Sequence, residues 1–250
     1  KPYEIGNLRG VSQSVTKPWQ PNKLTFQNYV TQFAVLADAG TNGSVSVLPA
    51  YEVGKSDAWT WFAANGEFSE VSGKGFPETT LSAPDGPVMA SGVAVRTKLK
   101  KGETKVIRFA LAWYFPVMDV DRKTANPGSF FSTGDYGRWF HNYFSSMDDL
   151  VAYAAKERAR ILKETEEWQT PVLESTLPDW LKFKIINSAY TMYTNTILNK
   201  AGDFTVLEGG MGGLAGTMDQ RISAHPFYQK FFTQIDRSEM QLYADCQDPE

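Results

Sequence analysis

The sequence predicts an antiparallel β-sandwich followed by a mainly helical region, and three observations carry that expectation. Glycine and proline cluster toward the front of the chain, as in Gly40-Thr41-Asn42-Gly43, Gly73-Lys74-Gly75-Phe76-Pro77 and Ala83-Pro84-Asp85-Gly86-Pro87. Such clusters punctuate short strands. Apolar residues between them recur with period two, the spacing of a strand with one buried face. After Gly137-Arg138-Trp139-Phe140 the apolar spacing becomes helical. The division falls there, with residues 1–140 as the sandwich and 141–250 as the helical part.

Alternation is weaker over 24–36 and over 44–48, with Val45 and Val47 on one face of the second. The clearest pair is 93–99 and 106–115, joined by Lys100-Lys101-Gly102-Glu103. Within it Ile107, Phe109, Leu111, Trp113 and Phe115 alternate with their neighbours, which predicts a hairpin with one buried face. Farther on, Ser146 precedes Asp148 and Asp149, an N-cap followed by an acidic first turn. A helix is expected from there to about Trp168, with Leu150, Ala154, Ile161 and Trp168 on one stripe and Lys156, Glu157, Lys163 and Glu166 facing outward. Pro171 is expected to end it. A second helix is expected from Pro178, with Trp180, Phe183, Asn187, Tyr190, Thr194 and Ile197 along one side and Asn199-Lys200-Ala201-Gly202 closing it.

Composition bounds the function. The 250 residues are 42% hydrophobic and 21% charged, the balance of an ordinary globular protein with room for one large domain or two smaller ones. The 25 Lys and Arg against 28 Asp and Glu leave a net charge of −3 and no basic run beyond 98–101, so no nucleic-acid partner is expected. The single Cys246 makes neither an internal disulfide nor a cysteine zinc site. No stretch approaches the roughly 18 to 20 apolar residues of a helical membrane span, so no transmembrane segment is expected. The chain starts at Lys1 and stops at Glu250 without a recognisable closing element, and it reads as a fragment.

Few residues invite chemistry. His141 and His225 are accompanied by no Gly-x-Ser-x-Gly, His-Glu-x-x-His or Cys-x-x-Cys, which reads them as surface or packing residues. The run Gly209-Gly210-Met211-Gly212-Gly213-Leu214-Ala215-Gly216 lacks the Lys-Ser/Thr of a phosphate loop, and reads as a site wall or a loop that lets a flat ligand approach the backbone. Phe204-Thr205-Val206-Leu207-Glu208 delivers a carboxylate into that loop, and Asp219 follows. Glycosidases need two carboxyl groups, and a Glu at the end of an apolar run suits a nucleophile. From spacing alone, Glu208 reads first as a turn or helix cap and Asp219 as an exposed loop acid, ahead of the catalytic reading. The aromatic clusters Trp59-Thr60-Trp61-Phe62 and Tyr136-Gly137-Arg138-Trp139-Phe140 read as core packing or as sugar-stacking surfaces. Asn42-Gly43-Ser44 matches a glycosylation acceptor.

Several stretches, in order, carry a resemblance. They are Phe109-Ala110-Leu111-Ala112-Trp113, then Glu167-Trp168-Gln169-Thr170-Pro171-Val172-Leu173, then Leu177-Pro178-Asp179-Trp180, then Leu207-Glu208-Gly209, then Thr217-Met218-Asp219. With these the chain resembles glycoside hydrolase family 116, the non-lysosomal glucosylceramidase (bile-acid β-glucosidase) group, from about Ser91 onward. In that family the Leu-Glu-Gly carries the nucleophile, and an Asp lies eleven residues after the Glu, as Asp219 does here. The family's Asp-Val-His reads Asp219-Gln220-Arg221 in this chain.

The resemblance implies a β-sandwich joined to an (α/α)6 solenoid, of which the opening helices are present. It implies a retaining β-glycosidase that forms a glycosyl-enzyme intermediate on Glu208, with Thr217 and Asp219 lining the sugar subsite. The substrate would be a β-glucoside or related β-linked sugar, and no cofactor or metal is required. The family's general acid/base is an aspartate that the resemblance puts beyond residue 250. The alternative is a carbohydrate-binding relative that keeps the scaffold without the chemistry.

Overall fold

The computed structural model describes residues 1–15, 31–52, 57–68, 89–116, 137–194, 196–207, 216, 218–245 and 247. The clusters at 73–77 and 83–87, residues 24–30, Tyr136 and Cys246 lie outside them. The chain divides into two compact units: Lys1–Trp19, Asn28–Phe115 and Ser146–Tyr153 form the first, and Gln20–Gln27, Pro116–Ser145 and Ala154–Glu250 the second.

The first unit is built of antiparallel sheets. Its strands are β1 (Pro2–Ile5), β2 (Leu8–Val15), β3 (Thr31–Asp38), β4 (Gly43–Glu52), β5 (Met89–Thr97) and β6 (Arg108–Tyr114), and helix α1 (Asp57–Asn65) lies between β4 and β5 in sequence. One sheet has the order β1-β2-β3-β6 and the other pairs β4 with β5, which pack against β2 and β3. Leu36 and Leu48 are fully buried between them, with Ala34, Ala94 and Ala112. At Gly10 the backbones approach so closely that a Cβ would lie 1.9 Å from the Val35 carbonyl oxygen.

Two expectations fail here. The runs at 93–99 and 106–115 do not form a hairpin: Val93 and Val95 pair with Val47 and Val45, whereas Leu111 and Trp113 pair with Val35 and Phe33. The connection between Thr97 and Arg108 is longer than the roughly two to five residues of a hairpin loop, and it carries the chain from one sheet to the other. Lys105 fastens it by donating to the Thr41 carbonyl and the Thr97 hydroxyl, each at 2.8 Å. The face of β6 is also reversed. Phe109, Leu111 and Trp113 are 58%, 61% and 61% exposed, while Ala112 and Tyr114 point inward. Period two separates two faces without saying which is covered. Trp113 stacks on Phe33 on the outer side, ring centroids 5.9 Å apart.

Helix α2 (Met147–Leu173) begins as its sequence predicts, with the Ser146 hydroxyl accepting from the Asp149 amide at 3.1 Å. It does not stop before Pro171. A proline removes one N–H donor, but the turn continues around it and the Thr170 carbonyl still accepts from Glu174 at 2.9 Å. Of the expected stripe only Leu150 and Trp168 are partly buried, while Ala154 and Ile161 are exposed; Met147 and Val151, outside it, are the buried residues. In its first turn Asp148 accepts from the Tyr3 hydroxyl at 2.6 Å. Burial, reinforced by that carboxylate, raises the Tyr3 pKa well above the phenol range. Along the exposed surface Arg160 links Glu157 and Glu164, each at 2.8 Å.

The second unit holds α3 (Asp179–Asn187), α4 (Tyr190–Thr194), β7 (Thr196–Leu198), β8 (Phe204–Val206), α5 (Met218–Phe231) and α6 (Thr233–Asp245). The single helix expected from Pro178 therefore breaks, Pro178 is its N-cap rather than its first-turn residue, and Ile197 lies on a strand. Hydroxyls around the break draw on the backbone carbonyls: Ser188 donates to Lys184 at 2.8 Å and Thr196 to Met192 at 2.8 Å. Such side-chain bonds compete with helix continuation. Trp180, Phe183 and Tyr190, expected on one apolar side, are all exposed. Among the described residues no helix is long and apolar enough to cross a membrane.

The reversed face of β6 sets a clear contrast. Leu36→Ala should cost about 2–5 kcal/mol of stability by opening a core cavity. Leu111→Ala should stay within about 0.5 kcal/mol. Urea unfolding of the two variants measures both.

Candidate functional site

The segment that leads to Glu208 is a hairpin held by its turn. At the end of β7, Asn199 is fully buried and its Oδ1 accepts from the Gly202 and Asp203 amides at 2.9 and 2.8 Å. Its Nδ2 donates to Asp203 Oδ2 at 2.8 Å. An Asn can mimic a backbone turn in this way, and Gly202 supplies the left-handed conformation, φ +101°, that closes it. A third segment joins alongside: Arg138 bridges to Asn199, and the Gly137 carbonyl accepts from Lys200 at 2.7 Å. Burial lowers the pKa of the Arg138 guanidinium, whose enclosed Nε has no hydrogen-bond partner among the described residues.

β8 is only three residues long, yet Phe204, Thr205 and Val206 are all buried. Phe204 and Val206 join Phe227 and Tyr228 of α5 in one cluster, with Trp168 and Phe231 packed against it. The rings of Phe204 and Tyr228 meet edge to face at 5.3 Å, and those of Trp168 and Phe231 at 5.4 Å.

At Val206 the polar contacts converge. Its amide donates to Oε1 of the buried Glu239 at 2.7 Å, and the Thr205 hydroxyl donates to the same oxygen at 3.1 Å. Its carbonyl accepts from the Gly216 amide at 2.8 Å, and the Gly216 carbonyl accepts from the Tyr243 hydroxyl. Gly216 is left-handed, φ +73°, and a Cβ there would lie 3.2 Å from Tyr243 Oη. Glycine meets both constraints without strain.

Glu208 and Thr217 lie outside the described residues. Asp219 falls in the first turn of α5, its backbone described and its side chain not. What the structure fixes is the frame around them: Val206 is two residues before Glu208, Gly216 is three before Asp219, and a hydrogen bond joins the two. Sequence reasoning missed Glu239 and Tyr243. They stand one helical turn apart on α6, but a glutamate among Asp236, Arg237 and Ser238 carries no sign that it is buried.

The remaining candidates form no second centre. His225 Nδ1 lies 2.8 Å from Oδ1 of the buried Asp236, between α5 and α6. His141 sits in a short 3-10 turn, Trp139–Asn142. Among the described residues no cluster of three His, Cys, Asp or Glu could hold a metal ion. Trp59 and Trp61 on α1 are 70% and 46% exposed, so the core-packing reading does not hold for them, while Phe62 stacks on Phe68 at 5.0 Å. Asn42 is exposed in a turn at φ +65°.

Residues 7–161 match the family model described as beta-glucosidase 2, glycosyl-hydrolase family 116 N-term. The match spans β2 to β6 and continues into α2.

The turn makes its own prediction. Asn199→Ala leaves the Asp203 amide, in a partly buried turn, without its acceptor, while the Gly202 amide keeps the Asn199 main-chain carbonyl at 3.1 Å. It should cost about 1–2 kcal/mol, measured by urea unfolding.

Proposed function

The chain belongs to glycoside hydrolase family 116, and from that membership we propose that it is the sandwich and opening helical part of a retaining β-glycosidase acting on β-glucosides or related β-linked sugars. Residues 1–140 are then the sandwich domain, and 141–250 begin an (α/α)6 catalytic domain. The observation that supports placing chemistry at Leu207-Glu208-Gly209, outside the matched residues, is the Val206–Gly216 junction. A buried, doubly bonded strand end is the kind of rigid support from which a catalytic loop is held.

The chemistry follows from two carboxyl groups about 5 to 5.5 Å apart. Glu208 attacks the anomeric carbon as its bond to the aglycone oxygen breaks, and the partner acid protonates that departing oxygen. The resemblance puts this partner beyond residue 250. Water, deprotonated by the same partner, then attacks the anomeric carbon and frees Glu208, so the sugar leaves with its original configuration. Thr217 and Asp219 line the sugar subsite, where buried hydroxyls need matched donors and acceptors.

The test uses the full-length protein and an aryl β-glucoside. Glu208→Gly should lose turnover by several orders of magnitude, and added azide should restore consumption of the substrate as the α-glycosyl azide. Azide fills the space of the missing carboxylate and attacks from its side. Near-normal turnover without azide would remove Glu208 from the nucleophile role.

A further inference from the structure

Helix α6 bonds to the β7–β8 hairpin and to Gly216 farther along the chain. Ser238 donates to the Gly202 carbonyl at the turn, 3.2 Å away. Glu239 takes the Val206 amide at the strand's far end, and Tyr243 takes the Gly216 carbonyl where the chain returns. The last two contacts come from residues four apart on one helix face, the spacing at which side chains stand one above the other. The loop that carries Glu208 therefore has both ends fastened to one rigid element.

Glu239 is 1% exposed, and a carboxylate is costly to bury. An apolar side chain of similar size would fill the space but would leave the Val206 amide buried without an acceptor. A buried polar group retained at such a cost, and spent on the backbone two residues before a reactive carboxylate, calls for a role beyond packing.

We propose that Glu239 is a positioning residue for the reaction at Glu208, and that with Tyr243 it clamps the two ends of the loop so that the nucleophile meets the anomeric carbon in register. This rests on the reading of Glu208 as nucleophile. It makes no contact with the sugar necessary, so Glu239 should govern the rate of bond formation and leave ground-state binding alone. Displacement of a reacting group by about 1 Å can cost about 10²-fold in rate.

The experiment follows trapping of the full-length protein by a 2-deoxy-2-fluoro-β-glucoside with a good leaving group, read as the saturating rate of labelling and as the inhibitor's dissociation constant. Glu239→Leu should slow labelling by about 10²-fold while the dissociation constant changes less than about threefold. Glu239→Gln, which keeps an acceptor oxygen, should restore the rate to within about fivefold of the natural protein. Tyr243→Phe releases only the Gly216 carbonyl and should slow labelling about fivefold, the effect of one ordinary hydrogen bond. It serves as the independent variant where Glu239→Leu does not fold. A folded Glu239→Leu or Tyr243→Phe protein that labels at the natural rate overturns the clamp, as does a loss confined to inhibitor binding. Peptide mapping separates the two claims. A label on Glu208 with unaltered rates in the variants overturns the clamp alone, and a label on another residue overturns the nucleophile reading and the clamp with it.

Discussion

The hydrogen bond from the Val206 amide to the buried Glu239 carboxylate, 2.7 Å long, is the constraint on which the second unit's site depends. A two-stranded hairpin with strands of three residues is marginal alone in water. β8 persists because its polar edge is satisfied by α6 and its apolar side chains are taken up by α5. Without the carboxylate, the strand end would carry a buried donor with nowhere to bond, a deficit of about 1–3 kcal/mol. Position and stability are thus set by the same contact.

An aromatic cluster packs the same short strand. Phe204, Phe227 and Tyr228 are buried together, and the helix α2 residue Trp168 packs edge to face against Phe227 and Phe231. Aromatic pairs of this geometry add about 0.5–1.5 kcal/mol beyond their buried area. Packing from α2 and α5, the turn at Asn199 and the clamp from α6 all serve one short strand. That strand is continuous in sequence with the Leu-Glu-Gly on which membership of a glycosidase family focuses attention.

Local signals were read correctly where the physics is local. Ser146 caps α2 because a hydroxyl and an amide three residues apart need nothing else. The errors arose where a long-range partner decides. Alternation along 107–115 marked a strand but not its neighbour, and β6 chose β3 over β5 because its connection spans between sheets. Which face is covered is set by the other sheet, so Ala112 and Tyr114 are buried while Leu111 and Trp113 are exposed. Helical spacing through Ile197 concealed hydroxyl bonds that end the helix earlier. Of the site, the carboxylate loop was visible as a motif, whereas Glu239 was not, because its burial is created by a strand more than thirty positions away.

The most direct measurement is a crystal structure of the full-length protein with a 2-deoxy-2-fluoro sugar trapped in its site. A covalent bond from the anomeric carbon to the Glu208 carboxylate, with the Val206 amide still bonded to Glu239 and its carbonyl to Gly216, is the expected result. A sugar attached to another side chain, or a loop whose strand end has left Glu239 while Glu208 holds the sugar, would contradict it.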